Sequence, residues 1–141
     1  MLKWATCQLL LAGLAASWCV ADELDTSIAR GEKIYQQECL ECHMDDGTGV
    51  PEVFPHLAGS ATFAKSADRI IDSILAGNEG QLVLDGQNYT GLMLPVPLEN
   101  AEILDLLRYI YASWYPQSKV KLDVKMIQLR RALAAEKKQE P

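Results

Sequence analysis

A chain of 141 residues with a formal net charge of −6 at pH 7 is one domain's worth of protein and too acidic to favour nucleic acid as a partner. Beyond the N-terminus no apolar run approaches the length that crosses a bilayer, which argues against a membrane span. Four cysteines, at 7, 19, 39 and 42, make thiol chemistry worth following along the chain.

Residues 1–21 read as a secretory signal peptide. Lys3 gives the positive start, Ala5 to Ala16 the apolar run, and Cys19-Val20-Ala21 the small residues before cleavage after about Ala21. An uncleaved anchor is the competing reading, although the run is short for a span. A lipoprotein is disfavoured by the bulky Trp18 beside Cys19. Cleavage leaves a periplasmic chain of net charge −7 in which Cys39 and Cys42 are the remaining cysteines, with no spare thiol to mispair.

The mature domain, 22–115, divides into helix, loop, helix, loop, helix, with no convincing strand. Asp25, Thr26 and Ser27 are helix starters, and Ile28, Gly31, Tyr35 and Cys39 recur at helical spacing. From Met44 to Ser60 the chain is rich in Gly, Pro and Asp and reads as loop. Ser66 to Ala76 is helical, with Ile70, Ile71, Ile74 and Leu75 as its apolar stripe and Gly77 as its stop. Residues 78–98 form a second long loop. Asn100 can cap a last helix whose apolar face is Ile103, Leu104, Leu107, Ile110, Tyr111 and Trp114. Loops this long in a small domain normally serve a site. Here they would wrap an apolar cofactor that supplies the centre so small a domain lacks.

A C-terminal extension, 116–141, follows. Val120, Leu122, Val124 and Met126 alternate with polar residues, suggesting a short extended piece, and from Met126 the spacing turns helical. The stretch Glu136 to Pro141 is polar and expected to fray. The extension carries seven bases and three acids, whereas 22–115 carries five bases and sixteen acids. That acidity points to a redox protein partner with a basic docking face, or simply to solubility.

Cys39-Leu40-Glu41-Cys42-His43 reads C-x-x-C-H, the sequence of covalent haem c attachment. Two thiols add to the two haem vinyl groups, and the adjoining His43 is then held beneath the iron. Three rivals fit less well. A zinc site needs four ligands, and the mature chain has two Cys and two His without finger spacing. A thioredoxin-like pair needs a βαβ setting. A disulfide would leave His43 and the loops unexplained. For the second axial ligand, Met44 adjoins His43, His56 lies on the attachment side and Met126 is in the extension. Met93, between Gly91 and Pro95 in the second loop, is free to point inward, and thioether ligation of haem is established chemistry. An ordinary loop methionine is the competing reading.

These motifs together resemble class I cytochrome c over about residues 28–115. Gly31 and Tyr35 resemble the glycine and aromatic of that family's first helix, with Tyr109 matching the aromatic they pack against. Gly47 to Ser60 resembles the loop of exported bacterial members, and Tyr89-Thr90-Gly91-Leu92-Met93 the axial-methionine loop. The resemblance implies an all-α fold of three core helices around one haem, axial ligation by His43 and Met93, a Pro55 carbonyl that orients His43, and Tyr89 beside the cofactor. Its implied function is one-electron transfer in the periplasm, with no small-molecule substrate at a six-coordinate iron. Electrons would come from an exported dehydrogenase, or the chain would be a fixed cytochrome subunit docked through 116–141. Three departures stand out. Met44 replaces the usual Gly, Leu94 precedes Pro95 where Pro usually follows the methionine, and His56 replaces a common Pro. For His56 a plain solvent-facing side chain is preferred over a group coupled to pH.

Overall fold

The computed structural model describes the backbone of residues 8–137 and the side chains of 22–137. The start of the expected signal peptide (1–7), the side chains at its cleavage boundary and residues 138–141 therefore lie outside the described residues. Among the described residues, six helices and one two-stranded hairpin follow in the order α1 Gln8–Glu38, α2 Leu40–His43, α3 Ala61–Lys65, α4 Asp68–Ala76, β1 Leu82–Leu84, β2 Gln87–Tyr89, α5 Asn100–Trp114 and α6 Val124–Lys137. The fold is all-α in class, as its helical periodicities predict.

The scaffold is the crossing of α1 and α5. A Cβ on Gly31 would lie 2.0 Å from the Asp105 carbonyl oxygen, so the two backbones touch where the side chain is missing. One turn further along α1, Tyr35 is buried, with its ring centre 5.4 Å from both Tyr109 and Trp114. Offset and edge-on aromatic pairs of this kind contribute about 0.5–1.5 kcal/mol beyond their area. The crossing also buries a polar group that periodicity did not reveal. Asp105 accepts hydrogen bonds from Ser27 Oγ and, at 2.6 Å, from Arg30 Nε, while Arg108 Nη1 donates to Ser27 Oγ at 2.8 Å. Ser27 is thus an interface residue and not a helix starter. The expected start at 25–27 is overtaken because the Leu- and Ala-rich stretch from Gln8 continues the same helix, and Thr26 Oγ1 bonds back to Asp22 O within it.

Three further expectations are corrected. The second long loop contains a hairpin, with Leu82 opposite Tyr89, Val83 opposite Asn88 and Leu84 opposite Gln87. Its turn is Asp85-Gly86, both with positive φ, which is the Asp-Gly signal for a two-residue hairpin. The cap of α5 is Glu99 and not Asn100: the Glu99 amide donates to Glu102 Oε2 at 2.8 Å in a reciprocal capping box. In the extension the helix begins at Val124, two residues before the expected Met126, because Asp123 Oδ1 accepts from the Lys125 amide.

Helix α6 packs on α4 and α5. Ile127 is fully buried, Arg130 pairs with Asp72 of α4, and Arg131 donates to Asn100 Oδ1 at 2.8 Å and to the Leu98 carbonyl at 2.7 Å. The basic extension is folded against the acidic domain of its own chain.

Candidate functional site

The α1 helix gives way to Cys39, and the single turn of α2 carries Cys42 and His43. That turn stops at Met44, whose φ of 63° and ψ of 165° lie in a region that favours glycine. Tyr35 Oη donates to the Met44 carbonyl at 2.5 Å, tying this strained corner to the α1–α5 crossing. His43 is 8% exposed. Its Nδ1 lies 2.9 Å from the Pro55 carbonyl oxygen, which can only accept, so Nδ1 bears the proton. Burial keeps the imidazole neutral by lowering its pKa, although the Pro55 hydrogen bond opposes this. Neutral His43 therefore has its lone pair on Nε2.

Cys39 and His43 line an apolar cavity walled by Phe63, Ile70, Ile74, Leu84, Leu106 and Ile110, and Met93 lines it too. A wider mouth adjoins it, where Cys42, Phe54, Tyr89 and Leu92 join Cys39, His43, Pro55 and Met93. All six residues singled out from the sequence, Cys39, Cys42, His43, Pro55, Tyr89 and Met93, are thus brought to one place. Burial pushes the Cys39 thiol up to about 12, with smaller contributions from Glu38 and Cys42. Neither Cys39 nor Cys42 is in a disulfide.

The loops that present these groups are held from outside the site. Tyr115 Oη donates to the Leu57 carbonyl and Tyr111 Oη to the Phe63 carbonyl at 2.7 Å, so the C-terminal end of α5 pins the first loop and the helix after it. Met93 is fixed through its backbone: its amide donates to Asn78 O at 3.0 Å and its carbonyl accepts from the Asn78 amide at 2.8 Å. Gly77, with φ of 72°, makes this possible, since a Cβ there would lie 2.4 Å from the Met93 oxygen. Gly77 is thus more than a helix stop. Asn78 lines the cavity as well and was not among the expected site residues.

His56 is not a plain solvent-facing side chain: it is 21% exposed and engaged at both ring nitrogens. Its Nδ1 is 2.7 Å from Tyr89 Oη and its Nε2 is 3.4 Å from Asp85 Oδ2. The hairpin turn explains the difference, because it brings Asp85 and Tyr89 onto the first loop, a contact that periodicity in a loop cannot announce.

Two thiols, an imidazole with a free Nε2 and a thioether around one apolar cavity match the donor set that a covalently held haem requires. Among the described residues no three His, Cys, Asp or Glu gather to hold a metal ion, so the ligand set for zinc is missing there. Among those residues, too, no helix is long and apolar enough to cross a membrane.

Comparison with known proteins agrees. The cytochrome c family pattern matches residues 28–114. A cytochrome c-552 of Thermus thermophilus is 37% identical over 118 residues, covering 80% of this chain and 72% of that one. A second cytochrome c-552 from the same species is 39% identical over 98 residues, 66% of this chain and 74% of its own. The cytochrome c subunit of the quinone alcohol dehydrogenase of Gluconacetobacter polyoxogenes is 28% identical over 95 residues, which is 64% of this chain and 20% of that larger subunit. With the attachment motif, the apolar slot and these relatives in agreement, the chain belongs to the cytochrome c family as a class I, single-haem c-type cytochrome that binds haem c covalently.

Proposed function

We propose that this cytochrome is a periplasmic one-electron carrier in which Cys39 and Cys42 would hold the haem through thioethers and His43 Nε2 and Met93 Sδ would bind its iron. The observation that carries the reading is the shared cavity: Cys39, His43 and Met93 line it together, and His43 has already committed Nδ1 to Pro55. When bound, haem c supplies the one-electron redox centre. The chain's own residues do the rest. Pro55 fixes the imidazole's orientation and tautomer, as a partner on the far nitrogen of a ligating histidine does. Asn78 holds the backbone of Met93 in place, and the apolar walls limit water. With both His43 and Met93 holding the iron, no position would stay open for a substrate, which favours transfer over catalysis.

The test is spectroscopic. The oxidised protein should show the weak far-red band of a Met–iron bond, and Met93→Ala should abolish it while covalent haem remains. A band that survives Met93→Ala would sink the ligand assignment. Export is tested by N-terminal sequencing of periplasmic protein, with Asp22 as the expected first residue.

A second reading, a fixed subunit of a dehydrogenase complex, is favoured by relatives that are named cytochrome c subunits of quinone alcohol dehydrogenases. The extension counts against using it as the docking arm, since Ile127, Arg130 and Arg131 are spent on contacts within the chain's own fold. Pull-down from periplasm with intact protein and with a chain ending at Pro116 decides between them. An exported dehydrogenase should be captured weakly, in a salt-sensitive manner, by both. Stoichiometric, salt-resistant capture lost on truncation would establish the fixed subunit.

A further inference from the structure

The geometry points to His56 as a positioning residue for Tyr89 that couples one proton to the electron carried at the site. This rests on the reading of the cavity as the haem site, whose mouth Tyr89 lines beside His43 and Met93.

The hydroxyl of Tyr89 has one proton and two neighbours that can take it, His56 Nδ1 at 2.7 Å and Gln87 Oε1 at 2.6 Å. Suppose it donates to Gln87. His56 Nδ1 must then carry a proton and donate to the Tyr89 oxygen. On the far side of the ring, Nε2 faces Asp85 Oδ2 at 3.4 Å. Asp85 is ionised: burial would raise its pKa, but hydrogen bonds from Ser60, Thr62 and His56 outweigh that and hold it at about 2. A bare Nε2 lone pair against a carboxylate oxygen is repulsive, so this arrangement needs His56 protonated on both nitrogens.

The neutral ring has one arrangement that avoids that repulsion. Its proton sits on Nε2 towards Asp85, and Nδ1 accepts from Tyr89. Gln87 then turns its amide so that an N–H meets the Tyr89 oxygen. The two arrangements differ by one proton and by the direction of the Tyr89 O–H dipole. Tyr89 is 3% exposed, so that dipole acts across a poorly screened wall of the site. The titratable side chains facing His56 are Asp85, on the hairpin turn, and Tyr89, on β2; Ser60 and Thr62, which hold Asp85, are neutral.

The sign follows from charge. An electron delivered by the redox partner makes the site more negative by one unit, which favours taking a proton from solvent onto His56. The potential should therefore fall as pH rises and His56 gives up that proton.

The experiment uses the holoprotein in two ways. The ring protons of His56 are titrated by NMR in both oxidation states, and the midpoint potential is followed against pH for wild type, His56→Gln and Tyr89→Phe. The expected outcome is proton binding roughly two- to tenfold tighter in the reduced state, the scale of one unit charge felt through partly solvated protein. A tenfold difference corresponds to about 59 mV for a one-electron couple. His56→Gln should lose the slope and Tyr89→Phe should reduce it. Equal proton affinity in the two states overturns the proposal, as does an unchanged slope in His56→Gln. The NMR titration stands even where a variant fails to assemble. A purified chain without covalent haem would instead overturn the site reading itself.

Discussion

The α1–α5 crossing and the two loops that line the cavity are held together by different means. At the crossing the contacts are between regular helices: a missing side chain at Gly31, the ring cluster of Tyr35, Tyr109 and Trp114, and a buried carboxylate at Asp105 with its own partners. The loops have little regular structure of their own. They are hung from the helices by side-chain hydrogen bonds from Tyr111 and Tyr115, by a bridge between Asn78 and Met93, and by positive-φ residues such as Met44. Helices of the crossing can form from local pattern and then dock. The loops surround an apolar slot and are expected to reach full stability only when the slot is filled.

The largest test of that contrast empties the slot. Cys39→Ala combined with Cys42→Ala should leave a chain with no cooperative thermal transition by circular dichroism, because nothing then completes the core. A sharp transition in that double variant would show that the helices suffice.

Gly31→Val attacks the crossing directly. Its side chain would overlap the Asp105 backbone, which cannot yield as a flexible side chain would. A loss of about 3 kcal/mol is expected in denaturant unfolding of the holoprotein, at the upper end for overpacking.

The Asp105 network should account for part of the acid sensitivity. Burial alone would raise this carboxyl, but hydrogen bonds from Arg30 and Ser27 and the nearby charges outweigh it and depress its pKa. A depressed acid stabilises the fold above its unfolded pKa of about 4, and the contribution is lost as pH falls through the folded value. Asp105→Asn should cost about 2 kcal/mol at pH 7, the scale of hydrogen bonds to a charged group, and flatten the fall in stability below about pH 4. Parallel curves for variant and wild type down to acid pH would refute the assignment.

Met44 provides a test of opposite sign in the loops. Its backbone conformation costs roughly 1–3 kcal/mol for a residue with a side chain, against roughly 0.5–1 kcal/mol of extra chain entropy for glycine. Met44→Gly should therefore stabilise the holoprotein by about 1 kcal/mol, read as a higher unfolding midpoint.

Arg130→Ala should have the smallest effect, about 0.5 kcal/mol or less. Its side chain and that of Asp72 are 27% and 42% exposed, and ion pairs in contact with water contribute little.

The helices were legible because periodicity is a local property. Ile70, Ile71 and Ile74 mark α4, and Ile103, Leu107 and Ile110 mark α5, as the structure has them. The site was legible for another reason: covalent attachment confines two cysteines and a histidine to five consecutive residues, so the chemistry is written in adjacent positions. The Asp85-Gly86 turn was readable too, but its flanking strands are three residues each and their alternation is too short to stand out. Asp105 was not readable. A carboxylate within an apolar helix face shows its partners only once Ser27 and Arg30, more than seventy positions away, are packed against it.

The sequence by itself determined the helical class, the attachment motif at Cys39, Cys42 and His43, and the placing of Met93 in a loop free to turn inward. Each depends on spacing along the chain, which folding does not alter. Only the tertiary structure decided that His56 faces Tyr89 and Asp85, that Gly77 and Asn78 hold Met93, and that the basic extension lies on its own acidic domain. Those contacts join residues distant in sequence, and their strength comes from burial and geometry that exist only after the helices have packed.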